Sequence, residues 1–498
     1  MSLKIKKKNI SLFVFSLLYA VLCYGFALTN FTLTIDNEQV FPKDHSLGMG
    51  RWGTNLIRCR IFDGITPYYT LLLSLFFLAF TAVALSRLFN FKNIYSYLFC
   101  ALFLSFPQMA YQMVFTMQAD AVAIGFFASS LSIILFLWAL DHLKIESIKS
   151  YLALLLSAIL IVFVIAIYQA LVFLPVVIFT ISLFQNTFKE DYSFKKDLVR
   201  VGFFTILMFI SGILYYISVK LFCPPMGDIG HLDSYTSSNQ SSFYNRFIDF
   251  YNLLVDNFRG DFYYGDKPFL FASLISLVLI GVYIYQKKHF FIRFTLILAS
   301  FVLTFFISFF ITNGAHPPRL YVATNIIFAF IIIHFFSSFK YKTVGILFAS
   351  IISLANIYLI TLLFLSSYKI CQHDQQIARK IDAFIYTKYP TFNYNTDYVY
   401  FYGSLPASEH NRFVLPKSEI FGGSFFSWDG GSNNRIINFI KFYDIAYYRE
   451  IDNKETFLKI ADSIESIPIW PNPESIKKID NVVIVRLGKE KGSKLSVE

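Results

Sequence analysis

Charge is scarce in this chain. Only 15% of its 498 residues are Asp, Glu, Lys or Arg, against roughly 25% in soluble globular domains, which excludes an ordinary soluble globule. Cysteine is scarce too, and the five present show no CxxC spacing. Cys23 and Cys100 fall inside apolar runs, where a thiol acts as a small apolar filler. Cys59, Cys223 and Cys371 lie outside those runs, and no spacing pairs them into a disulfide framework. Walker, Rossmann, HExxH, GxSxG and zinc-finger patterns are missing, and there is no internal repeat or low-complexity segment. Chemistry fed by a soluble nucleotide on a phosphate-cradling loop is therefore not indicated, nor is a metal site.

What is present is apolar bulk. Hydrophobic residues make up 56% of the chain, with 60 Phe and 32 Tyr, and they come in runs of about 18 to 24 residues, enough to cross a hydrocarbon core. Spans are predicted near 10–29, 68–89, 94–112, 119–140, 151–168, 170–186, 199–222, 268–286, 291–311, 320–338 and 343–366. Only the Tyr168-Gln169 bend separates the fifth from the sixth. The opening Lys4, Lys6, Lys7 and Lys8 resemble a signal peptide, but the apolar run reaching Leu28 is too long for one, so an uncleaved first span is expected. The fold class expected is an α-helical polytopic membrane protein of about eleven spans with a small C-terminal extracytoplasmic α/β domain.

The net charge of +11 does not point to nucleic acid, because the cations sit in short loops between apolar runs. One set of loops holds Lys4 to Lys8, Arg87, Lys92, Lys144, Lys149, Lys189, Lys195, Lys196, Arg200, Lys287, Lys288, Arg293, Lys340 and Lys342. The other set is longer yet poorer in Lys and Arg, so the first set is cytoplasmic by the positive-inside rule. An odd number of spans then places the tail outside the cytoplasm, and the N-terminus inside. The organisation expected is a transmembrane domain, 1–366, with outer loops 30–67 and 223–268, and an α/β domain over 367–498. Long loops in compact proteins usually carry function, and here they share one side.

In the first loop Arg51, Asn55 and Arg58 recur at helical spacing, with Trp52, Leu56 and Ile61 opposite, as in a helix lying in the membrane interface. In the second, Phe243, Phe247, Phe250, Leu254 and Phe258 form an apolar stripe, with Arg246, Asp249 and Asp256 off it. The tail reads as helix over 375–388, 434–442 and 454–464, and as strand over 398–402 and 482–485, around glycines 422, 423, 430 and 431.

A transferase working outside the cytoplasm needs a donor delivered through the membrane, for which a polyprenyl-phosphate sugar is suited. It also needs a carboxylate to take the acceptor's proton and cations for the leaving phosphate. Asp36-Asn37-Glu38, just past the first span, supplies candidate carboxylates. Two acids at this spacing share a side only in extended chain, and solvated loop charge is the competing explanation. Arg51 and Arg58, and His316 and Arg319 in the turn 313–319, are candidate phosphate ligands; snorkelling to lipid headgroups accounts for the arginines equally. Asp44, Asp120, Gln169 and Trp428 are candidate cavity or acceptor contacts. The competing explanation for Asp120, a helix N-cap, outweighs a site role, as a hydrogen-bonded helix break does for Gln169. Trp428 lies in the loop Ser427-Trp428-Asp429-Gly430-Gly431 and offers a face for a sugar.

The acid pair in the first outer loop, the following Gly50-Arg51-Trp52 segment, the many spans and the α/β tail resemble the serotype-converting O-antigen glucosyltransferases, type II. So does the ending, with Pro468-Ile469-Trp470-Pro471, then Ser475-Ile476-Lys477-Lys478-Ile479-Asp480-Asn481 and a closing strand. The resemblance implies a GT-C type fold in the bacterial inner membrane. It implies glucose donated from undecaprenyl-phosphate-glucose, transfer onto O-antigen repeats in the periplasm, and no cofactor. A donor flippase and a lipid-phosphate glucosyltransferase are the functional partners implied. The first-loop acid commonly acts as base in such enzymes, which maps onto Asp36 or Glu38, with inversion at the anomeric carbon. Another polyprenyl-phosphate-sugar transferase acting on a different surface polymer is the nearest alternative. A polysaccharide polymerase or flippase is the next, disfavoured by the folded tail and by the absence of repeated halves.

Overall fold

The computed structural model describes residues 7–38, 45–62, 66–142, 147–223, 243–311, 316–339, 341–408 and 411–490. By its contacts the chain divides into two compact units, 1–29 with 41–361, and 30–40 with 362–498. The segment that opens the first loop in sequence is thus part of the second unit's fold. The boundary at Thr361 and Leu362 falls inside one 47-residue helix, Lys342–Lys388. Sequence periodicity suggested a span and a separate amphipathic helix there. Neither Gly nor Pro interrupts residues 346–388, so nothing in the chain stops helical hydrogen bonding.

The first unit is helical. Among the described residues nine helices are long and apolar enough to cross a membrane, or ten if one bent pair is counted as a span, so the chain is a polytopic membrane protein. The bend, 45° between Ile94–Ser105 and Pro107–Met113, sits at a proline, which has no amide hydrogen and crowds the preceding turn. Tyr168 is extended (φ −157°, ψ 121°) and separates Ser147–Ile167 from Gln169–Asn186, so the fifth and sixth spans are distinct helices. Thr324–Ser338, predicted as a full span, has 15 residues. At about 1.5 Å per residue it falls short of a hydrocarbon core of roughly 30 Å.

Small polar residues let these helices approach closely, as expected where lipid removes the hydrophobic drive between helices. Ser129, Ser130, Ser132 and Ser157 are fully buried, and Ser157 donates from its own helix to the Ser132 carbonyl at 2.9 Å on the neighbouring one. The loop helix Phe243–Arg259 forms as expected, but its packed face is Phe250, Leu253 and Asn257, while Phe243 and Phe247 are exposed.

The second unit is built on a three-stranded sheet, β1 (Tyr398–Tyr402), β2 (Ile476–Ile479) and β3 (Val482–Arg486), in the order β1-β3-β2. The strand β3 runs parallel to β1 and antiparallel to β2. Strand alternation sends Val399, Phe401, Val483 and Val485 to one face. There they pack with Ala378, Ile381 and Ile385 of the long helix and with Ile436, Ile437 and Ile440 of the helix Asn433–Phe442. Tyr398, Tyr400, Val482 and Ile484 face the other way, onto Phe457 and Ile460 of the helix Lys454–Ala461. The sequence reading missed β2, because Ile-Lys-Lys-Ile carries only one fully buried residue. The five cysteines are free thiols.

Ile381 has no exposed surface in this core. Ile381→Ala is expected to lower the stability of the tail by about 2–5 kcal/mol, whereas Leu458→Ala, at an exposed position, stays within about 0.5 kcal/mol. Proteolysis of the detergent-solubilised full chain against temperature, following tail fragments, measures the difference.

Candidate active site

In the second unit, residues 30–38 are anchored by the Leu33 amide donating to the Tyr443 hydroxyl at 3.1 Å and by Phe31 against Phe442. The chain then turns, with the Asn37 amide donating to the Thr34 carbonyl at 3.0 Å. Asp36 takes a left-handed conformation in that turn, φ 73°, which Asp and Asn tolerate better than most residues. The segment is neither the extended chain nor the helix weighed for Asp36-Asn37-Glu38. The turn brings both carboxylates to one cation, Arg435.

The Arg435 guanidinium donates through Nη1 to Glu38 Oε1, through Nη2 to Asp36 Oδ1 at 3.0 Å, and through Nε to Asp429 Oδ2 at 2.5 Å. Three carboxylates thus meet one fixed fork, the geometry for which guanidinium is suited. The environments of the two candidate acids differ. Asp36 is substantially exposed, while the Glu38 side chain has no exposed surface. Glu38 Oε2 is buried and takes no hydrogen bond, and both polar atoms of the buried Asn37 amide are in the same condition. Burial pushes the Glu38 carboxyl above the ordinary glutamate range, its own backbone hydrogen bond and Arg435 pull the other way, and Asp36 adds to the rise. A carboxylate so placed is a proton acceptor with one oxygen uncommitted.

Trp428 stands beside this turn. It packs against Gly423, where an added Cβ would fall 2.1 Å from the indole, and with Leu33, Thr34, Ile35 and Phe425 it lines a small recess. Arg435 and the role of Asp429 escaped the sequence reading. Arg435 lies 397 residues from Glu38, and no local spacing signals such a partner.

The other candidates are in the first unit. The expected interfacial helix is broken in two, His45–Gly48 and then Trp52–Asn55 running into a π turn, Leu56–Ile61. Gly50, φ 72°, makes the intervening turn, a backbone state glycine adopts without strain. The polar face turns inward, since Asn55 and Arg58 are buried while Leu56 and Ile61 are exposed.

Arg58 Nη1 lies 3.1 Å from Asp120 Oδ2 in a buried ion pair, and Asp120 Oδ1 also accepts the Ala121 amide. Asp120 thus balances the Arg58 charge. Arg51 is held by neutral groups: its Nε donates to Gln169 Oε1 at 3.1 Å, and its guanidinium lies over the Tyr168 ring. Gln169 is a hub, donating in turn to the Met49 carbonyl and the Tyr215 hydroxyl. Burial holds Arg51 below its ordinary value, Tyr168 and Tyr215 oppose that, and the positive charge of Arg319 adds to the lowering.

Arg319 sits on the turn Pro318–Leu320, its guanidinium over Phe115 and its carbonyl accepting from Gln112 Nε2. His316 Nδ1 is 3.1 Å from the Tyr321 hydroxyl, and its Nε2 is buried without a partner. Burial lowers the His316 value and Asp249 acts against it, which favours the neutral, hydrogen-bonding ring. Asp44 and residues 313–315 lie outside the described residues. Among the described residues no group of three His, Cys, Asp or Glu side chains is placed to hold a metal ion.

Removing the carboxylate from a buried ion pair strands the cation. Asp120→Asn is expected to destabilise the membrane unit by about 3–5 kcal/mol, and Arg58→Met with Asp120→Leu to recover most of that loss. The midpoint of heat-induced aggregation in detergent reports both.

The family model described as Glucosyl transferase GtrII matches residues 25–336. No curated protein and no solved structure matches the chain.

Proposed function

The chain belongs to the GtrII glucosyl transferase family, and from that premise we propose that it moves glucose from undecaprenyl-phosphate-glucose onto O-antigen repeats at the periplasmic face of the inner membrane. The observation that carries the mechanism is Glu38, a buried carboxylate with one oxygen on Arg435 and the other unpartnered. Glu38 Oε2 takes the proton of an acceptor sugar hydroxyl. The hydroxyl oxygen bonds to the anomeric carbon, the bond from that carbon to the phosphate oxygen breaks, and undecaprenyl phosphate leaves with the electron pair. Attack opposite the leaving group inverts the anomeric configuration. The step balances without a further reactant.

In the first unit Arg51 and Arg319 are the candidate ligands for a lipid phosphate, with His316 as a hydrogen-bonding group. Trp428 presents a flat face to the acceptor, and the Asn37 amide has unspent capacity for a sugar hydroxyl. A donor flippase and a lipid-phosphate glucosyltransferase supply the donor. The concentration of Lys and Arg in one set of loops supports the orientation.

The test is the mass of the O-antigen repeat in a host that makes lipid-linked glucose. The wild-type gene is expected to add one hexose, Glu38→Gln to abolish the gain at equal membrane levels, and Asp36→Asn to retain part of it. A hexose gained with Glu38→Gln would remove Glu38 from the role of base. No gain with wild type would reject this donor and acceptor. Transfer measured against pH should fail on the acid side at a value above the ordinary glutamate pKa, because the base form exists only above its raised pKa.

A further inference from the structure

We propose that Arg435, in the tail beyond the family match, is the positioning residue for Glu38, its three-way fork fixing one carboxylate oxygen so that the other meets the acceptor hydroxyl. The inference rests on the assignment of Glu38 as base.

Three features of the geometry support it. The guanidinium is tied at Nε, Nη1 and Nη2 to three different carboxylates, so it cannot rotate without breaking at least one contact. Its backbone is held as firmly. In the first turn of the helix Asn433–Phe442, Asn433 Oδ1 accepts the Phe401 amide of β1 at 2.8 Å, and the Asn433 and Asn434 amides donate to the two oxygens of Glu450 at 2.8 and 2.9 Å. The next residues, Ile436 and Ile437, are core. The guanidinium is therefore referenced to the sheet, and Glu38 is referenced to the guanidinium. Finally, Glu38 Oε2 is buried and unpartnered, which is costly unless something uses it.

Among the described residues the charged groups that face Glu38 are Arg435 from this helix and Asp36 from its own turn. Asp429 reaches it only through the shared guanidinium. Removing the cation leaves Glu38 with burial and a neighbouring carboxylate, both of which favour its protonated form. A residue that only braced the fold would lower activity without changing its pH dependence.

The experiment is glucosyl transfer by the full-length protein in proteoliposomes, from undecaprenyl-phosphate-glucose to O-antigen acceptor, as kcat/KM against pH for wild type, Arg435→Gln, Arg435→Lys and Glu38→Gln. For Arg435→Gln the acid limb is expected to move upward by about one to three pH units, with a loss on the order of 100-fold at neutral pH that shrinks as pH rises. Arg435→Lys, which keeps the charge but not the fork, should hold its limb near that of wild type and still lose rate. An Arg435→Gln limb that stays in place, whether activity is full or uniformly reduced, would overturn the proposal. If Arg435→Gln is not recovered folded, the lysine variant decides, a wild-type rate overturning the need for a fork. Wild-type activity in Glu38→Gln would instead sink the base assignment itself, independently of Arg435.

Discussion

A carboxylate cannot be taken out of water without something to balance it. The penalty for an ion in a protein interior is several kcal/mol even after relaxation. Glu38 is in that position, and its balance comes from one guanidinium that it must share with Asp36 and Asp429. Much of the second unit's arrangement follows from that sharing. The chain after the first helix turns through a left-handed aspartate so that residues 36 and 38 reach the same fork. Asp429 approaches from a turn that is itself left-handed at that residue. Three carboxylates on one cation leave the cluster short of positive charge, which keeps Glu38 inclined to accept a proton rather than locked as an inert ion.

The first unit handles its polar groups differently. Several of those described there are matched locally. Arg58 is balanced by Asp120, and Arg293 is enclosed by Thr187, Gln286 and the rings of Phe188 and Tyr283. Serines return hydrogen bonds to carbonyls one turn back. An apolar surrounding enforces this economy, since unmatched polar groups have no water to turn to. Against that background Arg51 stands out, its guanidinium held by the neutral Gln169 and Tyr168.

How much of this was legible in the sequence depends on the range of each interaction. Helices were legible because twenty apolar residues in a row have few other uses, and the break at Tyr168-Gln169 was marked by polarity alone. β1 and β3 were legible because Tyr-Val-Tyr-Phe-Tyr and Val-Val-Ile-Val are rich in residues that suit a strand buried on both faces. The continuity of Lys342–Lys388 was not, since the drop in hydropathy after residue 366 looks like an end although nothing there stops a helix. In the site, the residue types were readable and the partnerships were not. Arg58 and Arg51 carry the same charge seven residues apart, yet Arg58 meets an aspartate 62 residues away and Arg51 a glutamine 118 residues away.

The family match covers residues 25–336 and so includes Asp36 and Glu38 but not Arg435 or Asp429. Read alone, the matched stretch contains a buried glutamate without its cation. The tail is then more than an appendage for recognition, because it holds the group that makes the burial of Glu38 affordable. A neutral residue at 435 would favour the protonated acid, which is no base, or would draw the turn 34–38 out toward water. A lysine would keep the charge but meet fewer than three carboxylates at once from a single ammonium on a flexible stem. The identity of residue 435 and the acidity of residues 36 and 38 are therefore one constraint written at two distant places in the chain.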